Sequence, residues 1–175
     1  MTVALAPTIV RAPEPAEAWV GFGSNVGDRW GTIERAVASF GDAVVEVSPV
    51  YETEPWGIVE QPWFLNGVLR LHWLDGPEAL LRRCLAIEGE AGRIRHERNG
   101  PRTLDLDVLL VETFVVERPH LRVPHPGITR RRSVLEPWAD AAPGLVVPGT
   151  GEPLWALRTH AESLPGQAVR RVEAV

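Results

Sequence analysis

Asp105 and Asp107 are the residues of this sequence best suited to chemistry. In the stretch 100–110, a Gly-Pro turn signal precedes an alternation of Leu and Asp with period two, which predicts a turn that runs into a strand. Because alternate residues of a strand share a face, the two carboxylates would lie side by side, about 6–7 Å apart. Two neighbouring carboxylates repel each other unless positive charge lies between them. A hard divalent cation such as Mg²⁺ is the usual partner, held by carboxylates together with substrate phosphates.

Four arginines directly upstream of this pair favour a phosphate site. They are Arg93, Arg95, Arg98 and Arg102. Guanidinium groups match the geometry of phosphate oxygens. An isolated Asp-x-Asp is more simply explained as two solvated carboxylates on an exposed strand, but beside these arginines it predicts a site for a metal-bound polyphosphate.

The composition is that of one globular domain. The chain has 175 residues, of which 45% are hydrophobic and 23% are charged, and this is enough for an ample core. No apolar run reaches the roughly 20 residues of a membrane span, and residues 1–17 lack the pattern of a signal peptide. The lone Cys84 argues against a disulfide scaffold or a zinc site. We therefore expect a cytoplasmic protein with no membrane partner.

The charged residues exclude several other functions. The net charge of -5 argues against a broad nucleic-acid surface. The sequence contains no lysine, which excludes a Walker A loop and Schiff-base chemistry. A bound polyphosphate would therefore be held by arginine, histidine, backbone N–H groups and metal.

The hydrophobic periodicity predicts an α+β fold with a ferredoxin-like βαββαβ core. The predicted core elements are strands at 19–22, 43–51 and 64–73, helices at about 30–40 and 77–91, and the strand that carries the aspartates. Additional C-terminal elements are predicted as a helical stretch at 130–138, a strand at 145–147 and a helix at 154–164. We expect a mobile extension at 1–17, a single domain at 18–165 and a frayed tail at 166–175.

Two local patterns lead to further expectations. Four apolar residues of the aspartate strand alternate and would face the core together: Leu104, Leu106, Val108 and Leu110. The glycines at 21, 23 and 27 do not have the spacing of a dinucleotide-binding loop, so a plain strand-to-helix turn is favoured.

Several motifs in this order resemble the 6-hydroxymethyl-7,8-dihydropterin pyrophosphokinase family of folate biosynthesis. The resemblance runs from Trp19 to about Val147. The matching motifs are Gly-Ser-Asn-x-Gly at 23–27, Tyr-Glu-Thr-Glu-Pro-Trp-Gly at 51–57, Gln-Pro-Trp-Phe-Leu-Asn at 61–66, Gly-Pro-Arg-Thr-Leu-Asp-Leu-Asp at 100–107 and Val-Pro-His at 123–125. Each motif alone is weak, but together, in this order and spacing, they are specific.

The resemblance implies transfer of the terminal pyrophosphate of ATP to the hydroxymethyl group of the pterin, which leaves AMP. It implies two Mg²⁺ ions that both touch Asp105 and Asp107, one between the α and β phosphates and the other between the β and γ phosphates. Such chemistry depends on positioning and charge neutralisation more than on a protein base, so no general base is assigned. The implied partners are ATP and the pterin, with the protein as a monomer or a weak homo-oligomer.

The family's motifs also imply individual contacts. Arg93 and Arg95 match arginines with a catalytic role, and the full set of implied ATP contacts is Glu88, Arg93, Arg95, Arg98, Arg102, His125 and Arg131. From its pattern alone, Glu88 would be an exposed helix residue and His125 a structural histidine between prolines.

The implied pterin contacts are Thr53, Pro55, Trp56, Phe64 and Asn66. Asn66 offers a donor and an acceptor to the pterin edge, and Phe64 would stack on the ring. Two positions depart from the family, which commonly has Trp where this chain has Asn99 and Phe where it has Ser133. We expect Trp56 to supply part of the missing aromatic surface.

Two other functions stay open on the sequence. A ferredoxin-like nucleotide- or RNA-binding module would bind without needing Asp105 or Asp107. A different Mg²⁺-dependent phosphotransferase or nucleotidyl transferase could share Asp-x-Asp, but it would release ADP or pyrophosphate instead of AMP.

Overall fold

A sheet of antiparallel strands forms the centre of the fold. The computed structural model describes residues 14–55, 60–93 and 100–172. Its strands are β1 Ala16–Ser24, β2 Val44–Val47, β3 Val50–Thr53, β4 Phe64–Trp73, β5 Asp105–Val111, β6 Val116–Arg118, β7 Leu121–Val123 and β8 Val169–Val172. Within the described ranges, the main sheet has the order β5-β1-β4-β3-β8, and β2 also pairs with β4. Strands β6 and β7 form a separate hairpin.

Helices and strands follow one another along the chain in the predicted order. They are α1 Arg29–Ser39, α2 Gly76–Glu90, α3 Arg132–Ala141 and α4 Leu154–Ala161, with 3-10 turns at Gly41–Ala43 and Ile128–Arg130. The succession β1-α1-β2/β3-β4-α2-β5 confirms the ferredoxin-like core, because β2 and β3 together take the place of the predicted second strand. Of the helices described, none combines the length and the apolar character that crossing a membrane requires.

The sheet has an apolar core on each face because its strands alternate in side-chain direction. One face packs against α1 and α2 through residues that include Val20, Leu69, Leu80, Ile87 and Leu106. The other face packs against α3 and α4 through residues that include Trp19, Val68, Leu109, Leu135 and Trp138. The carboxylate pair and the side chains of Phe64 and Asn66, described below, lie on this second face, where α3 and α4 leave one end uncovered.

A β-bulge in β5 changes the predicted orientation of one residue. Trp19 pairs with Leu110 and Val20 pairs with Val108, so that Leu109 is the additional residue. Leu104, Leu106 and Val108 face the α1–α2 core as predicted, but Leu110 packs with α3 and α4. The prediction for Leu110 was wrong because an inserted residue reverses the alternation that follows it.

The predicted strand at 43–51 is divided by Ser48 and Pro49. Proline lacks the N–H group that a central strand needs. At the break the Ser48 side chain replaces part of the ladder: Val68 N donates to Ser48 Oγ over 2.8 Å, and Ser48 N donates to Val68 O over 2.9 Å. Strands β2 and β3 can therefore both pair with β4.

Both ends of the described chain take part in the main sheet. β1 already begins at Ala16, so the expected extension does not include Ala16 and Glu17, which pair with β4. The expected frayed tail was wrong for Val169–Val172, because this segment is β8 and pairs with β3. The predicted strand at 145–147 is reduced to a single bridge between Val146 and Pro153.

The Glu52 side chain links β3 to β8 and to α1 through ion pairs. Its carboxylate is buried and accepts hydrogen bonds from Arg29 Nη1 over 2.9 Å and from Arg170 Nε over 2.8 Å. Burial alone would raise the pKa of Glu52, but the two arginines outweigh it and lower the pKa below its usual range. The interaction therefore stabilises the fold wherever Glu52 is ionised.

We expect Glu52→Gln to lower the free energy of unfolding by about 2 kcal/mol at pH 7. The reason is that the neutral amide would replace the charged carboxylate that accepts hydrogen bonds from Arg29 and Arg170. Since the folded pKa is the lower one, the contribution is present above the unfolded pKa of about 4.3 and is lost as the pH falls toward the folded pKa. Urea unfolding at pH 7 and at about pH 3 measures both effects. The exposed Glu117→Gln is the control, and an equal loss at both pH values would contradict the prediction.

Candidate active site

The predicted carboxylate pair lies on the sheet face that α3 partly covers. Asp105 pairs with Gly23 and Asp107 pairs with Gly21 across the β1–β5 ladder. Both aspartates and both glycines line one cavity. The glycines thus form part of the cavity floor in a strand, and the turn that the sequence predicted begins only after Ser24.

Position 23 requires glycine because the Asn66 side chain lies very close to its backbone. A Cβ atom at this position would lie 2.6 Å from Asn66 Oδ1 on the neighbouring strand. Asn66 in turn donates from Nδ2 to Thr53 Oγ1 over 2.6 Å. The absence of a side chain at position 23 therefore lets β4 and β3 present Asn66 and Thr53 to the same cavity.

Asp105 is held between two arginines. Arg93 Nη1 lies 2.7 Å from Asp105 Oδ1, and Arg102 Nη1 lies 2.6 Å from Asp105 Oδ2. One arginine follows α2 and the other precedes β5, so the chain brings them together from two directions. The predicted convergence of arginines and carboxylates is thus present for Arg93 and Arg102.

Glu88 links Arg93 to the backbone of β5. It is 3% exposed, forms an ion pair with Arg93 and accepts a hydrogen bond from Leu106 N over 2.8 Å. Its surroundings differ from the exposed helix position that its sequence pattern suggested. The helical spacing does contain the signal, because Glu88 follows Cys84 by one turn and shares its buried face.

Asp107 lies close to a third arginine, Arg131. Arg131 Nη1 is 3.5 Å from Asp107 Oδ2. Burial and the neighbouring Asp105 raise the pKa of Asp107, and His125, Arg131 and Arg102 offset this only in part. Two carboxylates on the wall of one cavity offer the oxygen ligands that a hard divalent cation prefers.

His125 is anchored to the end of β5. Its backbone N donates to Leu109 O over 2.8 Å, and its Nδ1 accepts from Gly127 N over 3.0 Å. In the neutral ring, Nε2 is therefore the protonated nitrogen. Burial lowers the pKa of His125 against the attraction of Asp107, so the neutral ring is favoured.

Asn25 connects three of the sequence motifs. It is 2% exposed, and its Nδ2 donates to Gln61 Oε1 and Pro62 O, each over 2.9 Å. Its Oδ1 accepts from Arg102 N over 2.9 Å. The Gly-Ser-Asn turn therefore positions Arg102 and the segment before β4, a role that the sequence alone did not assign.

A pocket for a planar ring adjoins the charged cluster. Phe64 and Asn66 share one face of β4 and line it together with Thr53. Arg102 Cζ lies 5.7 Å from the centre of the Phe64 ring. Ser133 and Val134 of α3 and Gln167, Ala168 and Val169 contribute another wall. The sequence analysis missed this last segment, because it treated the tail as frayed.

The remaining predicted contacts are distributed as follows. Pro55 is buried at the end of β3, and among the described residues its neighbour Glu54 lines the pocket in its place. Trp56, Arg95, Arg98 and Asn99 lie outside the described residues. Within 14–55, 60–93 and 100–172, no group of three or more His, Cys, Asp or Glu could hold a metal ion. A cation at Asp105 and Asp107 would therefore take further oxygen ligands from a substrate or from water.

Comparison with known families gives one match over most of the chain. Residues 19–143 match the family described as 7,8-dihydro-6-hydroxymethylpterin-pyrophosphokinase (HPPK). The chain is 39% identical over 160 residues to the 2-amino-4-hydroxy-6-hydroxymethyldihydropteridine pyrophosphokinase of Methylorubrum extorquens, with 89% of this chain and 98% of that protein covered. It is 42% identical over 157 residues to the Folic acid synthesis protein fol1 of Schizosaccharomyces pombe, with 87% of this chain but only 21% of that protein covered.

Among the solved structures that this chain resembles are two HPPK-DHPS proteins. One, in complex with substrates, has a TM-score of 0.67 at 13% identity and covers 84% of this chain. The wild-type HPPK-DHPS of Plasmodium falciparum has a TM-score of 0.66 at 13% identity and covers 85% of this chain. The chain spans 43% and 45% of those two proteins, and at such identity the likeness concerns the fold.

We expect Gly23→Ala to displace the Asn66 amide and to break its hydrogen bond with Thr53. Loss of that bond should lower the free energy of unfolding by about 1 kcal/mol and shift the side-chain amide signals of Asn66 in an NMR spectrum.

Gly89→Ala is the matched control. Gly89 lies in α2, and a Cβ atom there has no neighbour within 4 Å. This variant should gain up to about 1 kcal/mol from helix propensity. A Gly23→Ala protein with unchanged stability and unchanged Asn66 signals would contradict the proposed close approach.

Proposed function

The chain belongs to the 7,8-dihydro-6-hydroxymethylpterin-pyrophosphokinase family, and from that premise we propose that it transfers the terminal pyrophosphate of ATP to the hydroxymethyl group of 6-hydroxymethyl-7,8-dihydropterin. The products are AMP and the pterin diphosphate, a step of folate biosynthesis. The observation that carries the proposal is that one cavity is lined both by Phe64 and Asn66 and by charged side chains, namely Arg102, Asp105, Asp107 and Arg131. A phosphate donor and a ring-bearing acceptor can therefore meet within it.

The acceptor binds between β3, β4 and α3. Phe64 stacks on the pterin ring, and the Asn66 amide pairs with the polar edge of the ring. Thr53 supports this pairing because it accepts one Asn66 N–H and so fixes the amide plane. The family resemblance assigns Pro55 and Trp56 to the acceptor site as well, although Glu54 lines the cavity in place of Pro55 and Trp56 lies outside the described residues. The contact between Arg102 and the Phe64 ring supports a position of the hydroxymethyl group beside the phosphate site.

The phosphates of ATP bind among the arginines. Arg93 and Arg102 approach Asp105 from two sides, and Arg131 approaches Asp107. Phosphate oxygens compete with these carboxylates for the same guanidinium groups. Arg95, Arg98 and His125 complete the proposed set of contacts, and Glu88 orients Arg93.

Asp105 and Asp107 fit a hard divalent cation. Both carboxylates line one cavity, and carboxylate oxygens are the ligands that such a cation prefers. Two Mg²⁺ ions bound by both carboxylates would neutralise charge on the transferring phosphates. The protein side chains then act by holding donor and acceptor in line, and no side chain is assigned as a general base.

A monomeric or weakly associated state and a location in the cytoplasm stay predictions from the sequence. The same holds for the extent of the domain, although the pairing of β8 with β3 supports a catalytic unit that continues beyond residue 165.

The test is a product assay with ATP, Mg²⁺ and 6-hydroxymethyl-7,8-dihydropterin. We expect AMP to appear in step with the pterin diphosphate. Asp107→Asn should reduce this rate by at least about 100-fold, because charge stabilisation at the transferring phosphates is lost.

Asp75→Asn is the matched control, because Asp75 is exposed before α2 and its side chain makes no capping hydrogen bond there. ADP or pyrophosphate as the product would move the protein to another class of transferase. ATP binding without transfer, unaffected by Asp107→Asn, would favour a binding module instead.

A further inference from the structure

The side chain of Gln167 holds the backbone on both sides of Arg131. Gln167 Oε1 accepts from Arg132 N over 2.9 Å, and Gln167 Nε2 donates to Arg130 O over 3.0 Å. Arg132 Nη1 also donates to Gln167 O over 3.2 Å. A single amide thus brackets Arg131 although it lies more than thirty residues away in the chain.

The bracketed position is the junction between two short helical elements. Arg131 lies between the 3-10 turn Ile128–Arg130 and the first residue of α3, with an extended backbone at φ -120° and ψ 105°. Its own side chain makes no capping hydrogen bond to α3. The first N–H groups of a helix need partners from outside the helix, and Gln167 supplies one for Arg132 N.

Gln167 is itself fixed by the edge of the sheet. Glu54 N donates to Ala168 O over 2.9 Å, and Ala168 N donates to Glu54 Oε2 over 3.1 Å. Directly afterwards, β8 pairs with β3 over four residues. The amide that brackets Arg131 is therefore attached to the same strand that carries Thr53.

We propose that Gln167 is a positioning residue that holds the Arg131 guanidinium toward Asp107 and toward the phosphates bound there. The inference rests on the proposed function, since it assigns Arg131 to the phosphate site. It gives the tail a role in the active site: β8 anchors Gln167, Gln167 fixes the backbone of Arg131, and Arg131 lies 3.5 Å from Asp107.

The first test compares three variants of the full chain. Gln167→Ala should lower kcat/KM for ATP by about 10- to 100-fold, because a small misplacement of a binding group is costly in an enzyme site. Gln167→Met keeps the side-chain volume but not the hydrogen bonds, so it should show the same loss. Arg171→Ala, on exposed β8 surface, should keep the wild-type value. A Gln167→Met protein with wild-type kinetics would overturn the proposal, because packing alone would then be sufficient.

The second test asks whether Gln167 acts through Arg131. In a double-mutant cycle, the double variant should match Arg131→Ala alone within about twofold, because the two changes remove one interaction. Losses that multiply would overturn the proposal. The proposal would also be overturned if Gln167→Ala lowered the Tm but left kcat/KM unchanged in an assay run about 20 °C below that Tm. That result would indicate a purely structural role for Gln167.

Failure of the positioning role can be distinguished from failure of the proposed function by measuring the affinity for a non-hydrolysable ATP analogue by calorimetry. If the wild-type chain forms no AMP, the proposed function fails, but the same cycle can be completed on analogue affinity. A weakening shared by Gln167→Ala and Arg131→Ala, and not increased in the double variant, supports the positioning role. Unchanged analogue affinity and unchanged turnover in Gln167→Ala overturn it.

Discussion

Repulsion between two carboxylates on one strand face is the constraint on which the site depends. Asp105 and Asp107 are neighbours because strand geometry places alternate residues on the same face, and the fold brings compensating charge from separate segments. Arg93 follows α2, Arg102 precedes β5 and Arg131 precedes α3. Burial and the neighbouring Asp105 nevertheless raise the pKa of Asp107 above its usual range.

The two faces of the sheet differ in how completely helices cover them. The face against α1 and α2 is covered by a continuous apolar core. The face against α3 and α4 is covered only in part, and its open end is where glycines replace side chains in β1. The bulge at Leu109 lies next to this transition. Regular alternation already turns Asp107 toward the cavity, and the bulge that follows lets Leu110 join Leu109 in the apolar contact with α3 and α4.

The sequence predicted what depends on local pattern. Alternation and spacing were sufficient for the aspartate pair, for the βαββαβ order and for Phe64 and Asn66 on one face of β4. They were insufficient for Leu110, because period-two counting cannot detect an inserted residue. They also failed for β8, whose four residues Val-Arg-Arg-Val carry little apolar signal and are fixed by pairing with β3, more than a hundred residues earlier. Glu88 is a different case, because its spacing of one turn from buried Cys84 did carry the signal, whereas its partners Arg93 and Leu106 could be identified only from the structure.

The wall formed by α3 and the tail changes how the acceptor pocket must work. The described residues contributed by that wall, Ser133, Val134 and 167–169, include no aromatic side chain. One face of a bound ring therefore depends on Phe64, and orientation depends on the Asn66–Thr53 pair. Arg102 touches both the Phe64 ring and Asp105, so occupancy of the ring site and of the phosphate site act on one guanidinium. Under the proposed function, Arg102 would therefore couple recognition of the acceptor to charge balance at the carboxylates, and a pocket with weaker stacking could still align its acceptor with the phosphates.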